Sequence, residues 1–398
     1  MNRDELERTL LAYAIVAVFA MALIIALNWR RPGRLLTMQR LRPGLWSGSA
    51  VFFQYILQLF VAIFFAVTAI GMLNDTQFFE LLLPSDASRE RKANLISPLP
   101  FLLSMALSFT TLYWFNRTTI ADIGLSLVRW RANVMLGAGA FFVAIPVVFG
   151  TFELTQRIFP VRSHPIEALA RDSLAWYEWL FLFAQVVFFA PIAEEWLFRG
   201  ILQGWLRRTN LLGHAMLLWV TIGWFALNSI AGASADKAKV DAEPRWDKYA
   251  PLVFGCLLGG VYAAGALWLY RPVLTRGLRV FTDGPAGIAN APDLWTSNLF
   301  EAEGYERRTL PWSEFGPAWP AWKDANARLA IVGSAMAFAL AHPWPTPIPL
   351  FLLALVLGWL TYRTQNLVPA MVLHGLFNLL SFLVLWMTVH KVDLWGVL

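Results

Sequence analysis

The residues best suited by type to do chemistry lie in the stretch Pro191-Ile192-Ala193-Glu194-Glu195-Trp196-Leu197-Phe198-Arg199-Gly200, which follows the apolar run Trp179 to Ala190 with no polar spacer. On insertion scales each charged side chain at mid-membrane costs roughly 2.5–3.5 kcal/mol, so two acids and a base are tolerable there only when paired, hydrated or near the boundary. Glu195 and Arg199 are four apart, a spacing that puts an acid and a base on one helical face; their pairing leaves Glu194 pointing elsewhere. A plainer reading makes the stretch a helix end whose charges snorkel into water. Two histidines weigh against that reading. His342 follows Phe338 by four positions and closes an apolar run that begins near Leu329. His374 and Asn378, also four apart, sit inside the last long apolar run, so imidazole and carboxamide share a face.

Peptide hydrolysis needs a base to activate water, an imidazole to share the proton, and donors for the oxyanion. Glu194, His342 and His374 supply these types, and Asn378 suits the oxyanion. The same carboxylate and two imidazoles, Glu194, His342 and His374, could equally form a zinc site with an open position for water. The residues alone leave both arrangements open. Other protease chemistries have no foothold: the chain carries no HExxH helix, no GxGD signature and no GxSG loop. A Walker A sequence and a GxGxxG phosphate loop are also missing, so no nucleotide is expected as a partner. The single cysteine, Cys256, excludes an internal disulfide and a thiolate metal cluster. A net charge of +6 comes from Arg residues scattered between apolar runs, which reads as topology signals and not as a nucleic-acid surface.

These groups must be positioned by membrane helices. The 398 residues are 58% hydrophobic and 15% charged, whereas a soluble domain is roughly 45–50% apolar and about 25% charged. The run Leu10 to Leu27 has the length of a retained span, ending in Trp29, Arg30, Arg31 and Arg34. Further runs lie near 51–73, 98–115, 133–150, 177–193, 213–231, 250–270, 329–342, 348–362 and 367–389. The expected fold is therefore an all-α integral membrane protein, a polytopic bundle of about 8–10 transmembrane helices with an extramembrane loop insertion. Pro191 is expected to break its helix, with a new one starting there and crossing through Leu206. The basic stretches 28–46, 116–132 and 199–209 are expected on the cytoplasmic side. The segment 272–328, mixing Pro, Gly and both charge signs, is expected outside the membrane.

The stretches EEWLFR, FALAH and HGLFN resemble the motifs EExxxR, FxxxH and HxxxN of the CAAX-protease and bacteriocin-processing family, the type II CAAX prenyl endopeptidase-like intramembrane proteases. Their order matches, as do Pro191 before the first and Asn366-Leu367-Val368-Pro369 before the third, and the resemblance covers about 180–385. It implies that Glu194 polarises water with His342, that His374 and Asn378 form the oxyanion site, and that Glu195, Arg199 and Phe338 support them. It favours a metal-independent glutamate mechanism over zinc. The implied function is an intramembrane endopeptidase cutting near the membrane boundary. A catalytically silent scaffold or a bacteriocin-immunity-type binding protein on the same fold is the alternative. Expected partners are the lipid bilayer and a membrane-associated peptide or protein substrate, with a bacterial cell membrane as the setting. The implied division is 1–176 for N-terminal helices, 177–212 and 329–390 for catalytic helices, and 213–328 for an insertion with two membrane helices and a polar loop. One departure stands out: about 140 residues separate Arg199 from His342, more than the short helical excursion the family uses.

Overall fold

A computed structural model describes residues 46, 48–73, 98–159, 170, 174–207, 209, 211–236, 250–283 and 325–390. Among these residues there is no strand. Nine helices follow in order: α1 Gly48–Leu73, α2 Pro98–Asn116, α3 Trp130–Ile158, α4 Trp176–Leu206, α5 Leu211–Asp236, α6 Ala250–Asp283, α7 Ala325–Leu340, α8 Pro347–Thr364 and α9 Val368–Val389. Each of the nine apolar runs between residues 51 and 389 lies on one of them. Within a bilayer an unpaired backbone amide has no water to turn to, so an apolar run of this length must satisfy its own N–H and C=O groups as helix. In α3, α4, α8 and α9, and over Ala250–Leu269 of α6, five helices are long and apolar enough to cross a membrane. The outward faces carry large apolar side chains such as Phe60, Trp114, Met135, Trp219 and Trp268, the surface a lipid solvent calls for. The fold is an all-α polytopic membrane protein.

The structure corrects two local expectations. Pro191 does not break its helix: α4 runs unbroken for 31 residues. The reason is a widened π-helical turn, Gln185–Phe189, just ahead of Pro191, which makes room where a proline ring would strike the preceding carbonyls of an α-helix. Arg199 is a buried member of α4 and not a topology charge. α6 continues as helix to Asp283, into the stretch expected outside the membrane, while its apolar membrane-length part ends at Leu269. The run Leu10 to Leu27, the basic loop up to residue 45, and residues 284–324 lie outside the described residues.

The core centres on α7, where Ala335, Met336, Phe338 and Ala339 have no exposed surface. Around it stand α4, α5, α6 and α8, while α9 packs between α3 and the π turn of α4. Small residues permit the closest approaches. At Gly137 of α3 an added Cβ would sit 2.5 Å from the Pro369 carbonyl of α9.

A second π segment, Trp196–Gln203, gives α4 a polar strip at four-residue spacing: Glu195, Arg199, Gln203 and Arg207. In a regular α-helix each four-residue step drifts by about 40°; the wider π turn lessens that drift, so the strip keeps facing α7 and α8. Gln203 donates to the Gly358 carbonyl at 2.9 Å and accepts from Ser334 at 3.2 Å, tying the two neighbouring helices to α4. Arg207 donates to Gln365 at 3.1 Å, just past α8. The start of α9 is held by the loop before α3. Leu367 N–H donates to the Gly124 carbonyl at 2.8 Å, and the Asn366 amide donates to the Ser126 carbonyl at 2.8 Å. Gly124 takes a φ of 100°, open to glycine and strained for any side chain.

Candidate active site

Glu194 and Glu195 occupy the short α-helical interval Ala190–Glu195 between the two π segments of α4. Such insertions recur at functional sites because one extra residue re-aims everything beyond it. Glu195 points inward and is fully buried. Its Oε1 lies 3.2 Å from Arg199 Nη1 and 2.9 Å from His374 Nδ1. The acid therefore joins two helices: the α4 guanidinium and the α9 imidazole meet on one carboxylate oxygen. Because a carboxylate accepts, Nδ1 of His374 carries the proton, and Nε2 is turned toward Glu194 Oε2, 3.8 Å away. Glu194 itself keeps 26% of its side chain exposed, against 4% for His374. Of the two acids it is the one with any exposed surface, although its Oε2 is buried.

Phe338 is the hub on the other side. Its ring stands 5.6 Å from the His374 ring and 4.8 Å from the His342 ring, with the Arg199 guanidinium 4.3 Å from its centroid. A guanidinium over a ring face is attracted by the quadrupole, and more strongly in a buried place than in water. His342 lies just beyond the end of α7, and its Nδ1 is 2.8 Å from the Phe338 carbonyl. A carbonyl can only accept, so Nδ1 donates and Nε2 of the neutral ring keeps its lone pair. The half-buried imidazole is thus oriented by the helix end it caps.

Asn378 is one turn after His374 on α9, as the spacing predicts, and its Nδ2 donates to the Val186 carbonyl in the first π turn at 2.9 Å. Gly375 lies between them, where an added Cβ would sit 3.0 Å from the Val187 carbonyl. The structure thus gathers Glu194, Glu195, Arg199, Phe338 and His374 directly. It sets His342 against the same Phe338 ring and Asn378 against the π turn behind the acids.

Sequence reasoning did not single out Gln203, Gly375 or the Val186 carbonyl. Gln203 continues the four-residue spacing of Glu195 and Arg199 and was detectable on that ground. The carbonyl is a backbone group that no side-chain pattern announces.

Glu194, His342 and His374, the zinc alternative, are not gathered into one ligand set in this structure. Among the described residues no three His, Cys, Asp or Glu side chains gather to hold a metal ion. In both imidazoles Nδ1 is engaged, by Glu195 and by the Phe338 carbonyl, which leaves Nε2 as the free nitrogen. What the cluster offers is a partly exposed glutamate, an imidazole oriented by a second, buried carboxylate, and a further imidazole one ring away.

The chain matches the family model described as type II CAAX prenyl endopeptidase Rce1-like over residues 176–276 and 308–380. The match begins at the first residue of α4 and takes in α5 and most of α6 as well as α7 and α8. No curated protein and no solved structure matches the chain. All three motif stretches and the contacts that join them lie inside the matched residues, and the chain belongs to the Rce1-like type II CAAX prenyl endopeptidase family, a family of proteases.

Proposed function

We propose that the chain is an intramembrane endopeptidase that hydrolyses a peptide bond near the membrane boundary, using water activated by Glu194 and His342. The observation that carries the reading is the contrast between the two neighbouring acids. Glu195 is sealed against Arg199 and His374, while Glu194, at the edge of the same cluster, keeps part of its side chain exposed with Oε2 buried beside His374. In this mechanism Glu194 takes a proton from water as the oxygen attacks the scissile carbonyl, with His342 Nε2 as the second acceptor holding that water. His374, fixed through Nδ1 by Glu195, acts as the doubly protonated imidazolium, so that its Nε2–H donates to the developing oxyanion. Glu194 then returns the proton to the leaving amine, so the atoms balance without a further reactant. Buried oxygens Glu194 Oε2 and Glu195 Oε2 and Arg199 Nε have no hydrogen bond from a protein group, a set suited to ordered water.

The proposed substrate is a membrane-associated peptide or protein reached from the surrounding lipid, in the setting of a bacterial cell membrane. A catalytically silent scaffold is the second reading. It is favoured by the structural work that motif residues do, Glu195 with Arg199 and Asn378 with the Val186 carbonyl. Peptide cleavage in liposomes separates the two, using prenylated and unmodified peptides with wild type, Glu194→Gln and His342→Ala, each with and without a chelator. Loss of a general base is expected to slow cleavage by roughly 10²–10⁴-fold, with no effect of the chelator. Folded wild type and variants that are all equally inert would favour the scaffold.

A further inference from the structure

The π turn ahead of Pro191 leaves backbone carbonyls without their usual donors. Ala190 N–H reaches back five residues to the Gln185 carbonyl. In that register the carbonyl of Val186 requires the N–H of residue 191, and in the α register the carbonyl of Val187 requires the same one. Residue 191 is proline, which has no N–H. Both carbonyls turn toward α9 at the HGLFN stretch. Asn378 Nδ2 donates to Val186 O at 2.9 Å, and Gly375, lacking a Cβ, lets α9 close on Val187 O. Inside a bilayer a carbonyl without a donor has no water to accept from, so the replacement donor has to come from the neighbouring helix.

We infer that Asn378 is a positioning residue: it supplies the hydrogen bond that Pro191 withholds from Val186, and so holds the π turn that aims Glu194 and Glu195. The turn matters because one residue rotates an α-helix by about 100°. An α4 that lost its extra residue would swing the acid pair away from His374 and Phe338. Proline, π turn and asparagine therefore form one device, spread over two helices and 192 residues of chain.

The test is a double-mutant cycle between Asn378→Ala and Pro191→Ala in purified full-length protein. The Pro191→Ala substitution restores an N–H to the turn, so the Val186 carbonyl no longer depends on α9. Thermal unfolding in detergent is one arm. It does not rest on the protease reading, whereas the second arm, kcat and KM for peptide cleavage compared within each background, does. Asn378→Ala is expected to lower the unfolding midpoint by a few degrees and to lower kcat with the natural Pro191, and to change both far less when combined with Pro191→Ala. Asn378→Leu, which keeps about the same volume but has no donor at all, is expected to behave like Asn378→Ala. If Asn378→Ala is recovered folded only in the Pro191→Ala background, the inference stands on that result. An equal drop in both backgrounds overturns it, as does an unchanged midpoint with a lost kcat, which would place the amide on the substrate. Wild type that cleaves nothing removes the protease reading while the stability cycle still decides the role of Asn378.

Discussion

Glu194 and Glu195 are adjacent in the chain and opposite in surroundings, and removing each has a different consequence. Glu195 is buried with an arginine and a histidine on one oxygen. Truncating it strands a buried guanidinium, and breaking such a pair costs about 3–5 kcal/mol. Glu195→Ala is therefore expected to lower the unfolding midpoint sharply or to prevent recovery of folded protein, whereas Glu194→Gln, at the partly exposed edge, should unfold near wild type while losing cleavage. Thermal unfolding of both variants in the same detergent checks this, and equal midpoints would mean that the two acids do not divide their roles by burial. The Glu195–Arg199 pair was legible in the sequence because the four-residue spacing fixes it locally. The bond from His374 to Glu195 spans 179 residues, and no local rule reaches that far. His342 shows the same limit at shorter range: its spacing from Phe338 was plain, while its position past the helix end, with Nδ1 on the Phe338 carbonyl, depends on where α7 stops.

The apolar runs were legible at the scale of elements because bilayer thickness sets both their length and their composition, and the nine of them within the described residues each became a helix. The two π segments were not legible. They depend on what α4 packs against: Gln203 bridging Ser334 and Gly358 in one, and the α9 contacts at Val186 and Val187 in the other. Pro191 looked like a break because proline usually is one, and the extra residue of the π turn is what removed the clash. The approach of α3 to α9 is a second element-scale constraint. Gly137 faces the Pro369 carbonyl and the Val372 side chain at distances that admit no Cβ, and α9 carries His374. Gly137→Val should wedge the two helices apart at a cost of about 1–3 kcal/mol, typical of overpacking, and displace His374 from Glu195. The expected outcome is a lowered unfolding midpoint together with reduced cleavage, measured on the same preparation. A variant that keeps both would mean that α9 is placed by the Gly124 and Ser126 contacts alone.

For the whole molecule, the strongest commitment is that the outer faces of these helices meet lipid. Composition alone supported that commitment, since 58% hydrophobic residues cannot all fit inside a bundle, but which faces point outward could not be read without the packing. The single cysteine offers a direct check. Cys256 lies on α6, exposed on the same helix as the exposed Leu252, Val253, Leu257 and Val261. It is six residues past Ala250, about 9 Å along the helix at 1.5 Å per residue, within the stretch apolar enough to cross a membrane. The cysteine sulfur attacks the maleimide double bond, and hydrocarbon excludes a charged reagent from it. In liposomes a membrane-impermeant charged maleimide is therefore expected to leave Cys256 unmodified, and to label it fully once the protein is unfolded in detergent. Mass spectrometry of the intact chain reads both states. Rapid labelling in sealed liposomes would put this face of α6 in water, and α6 would then border an aqueous cleft instead of lipid. Since α6 packs on α7, the helix that carries Phe338 and leads to His342, that outcome would also move the path of water toward the site to the α6 side of the bundle.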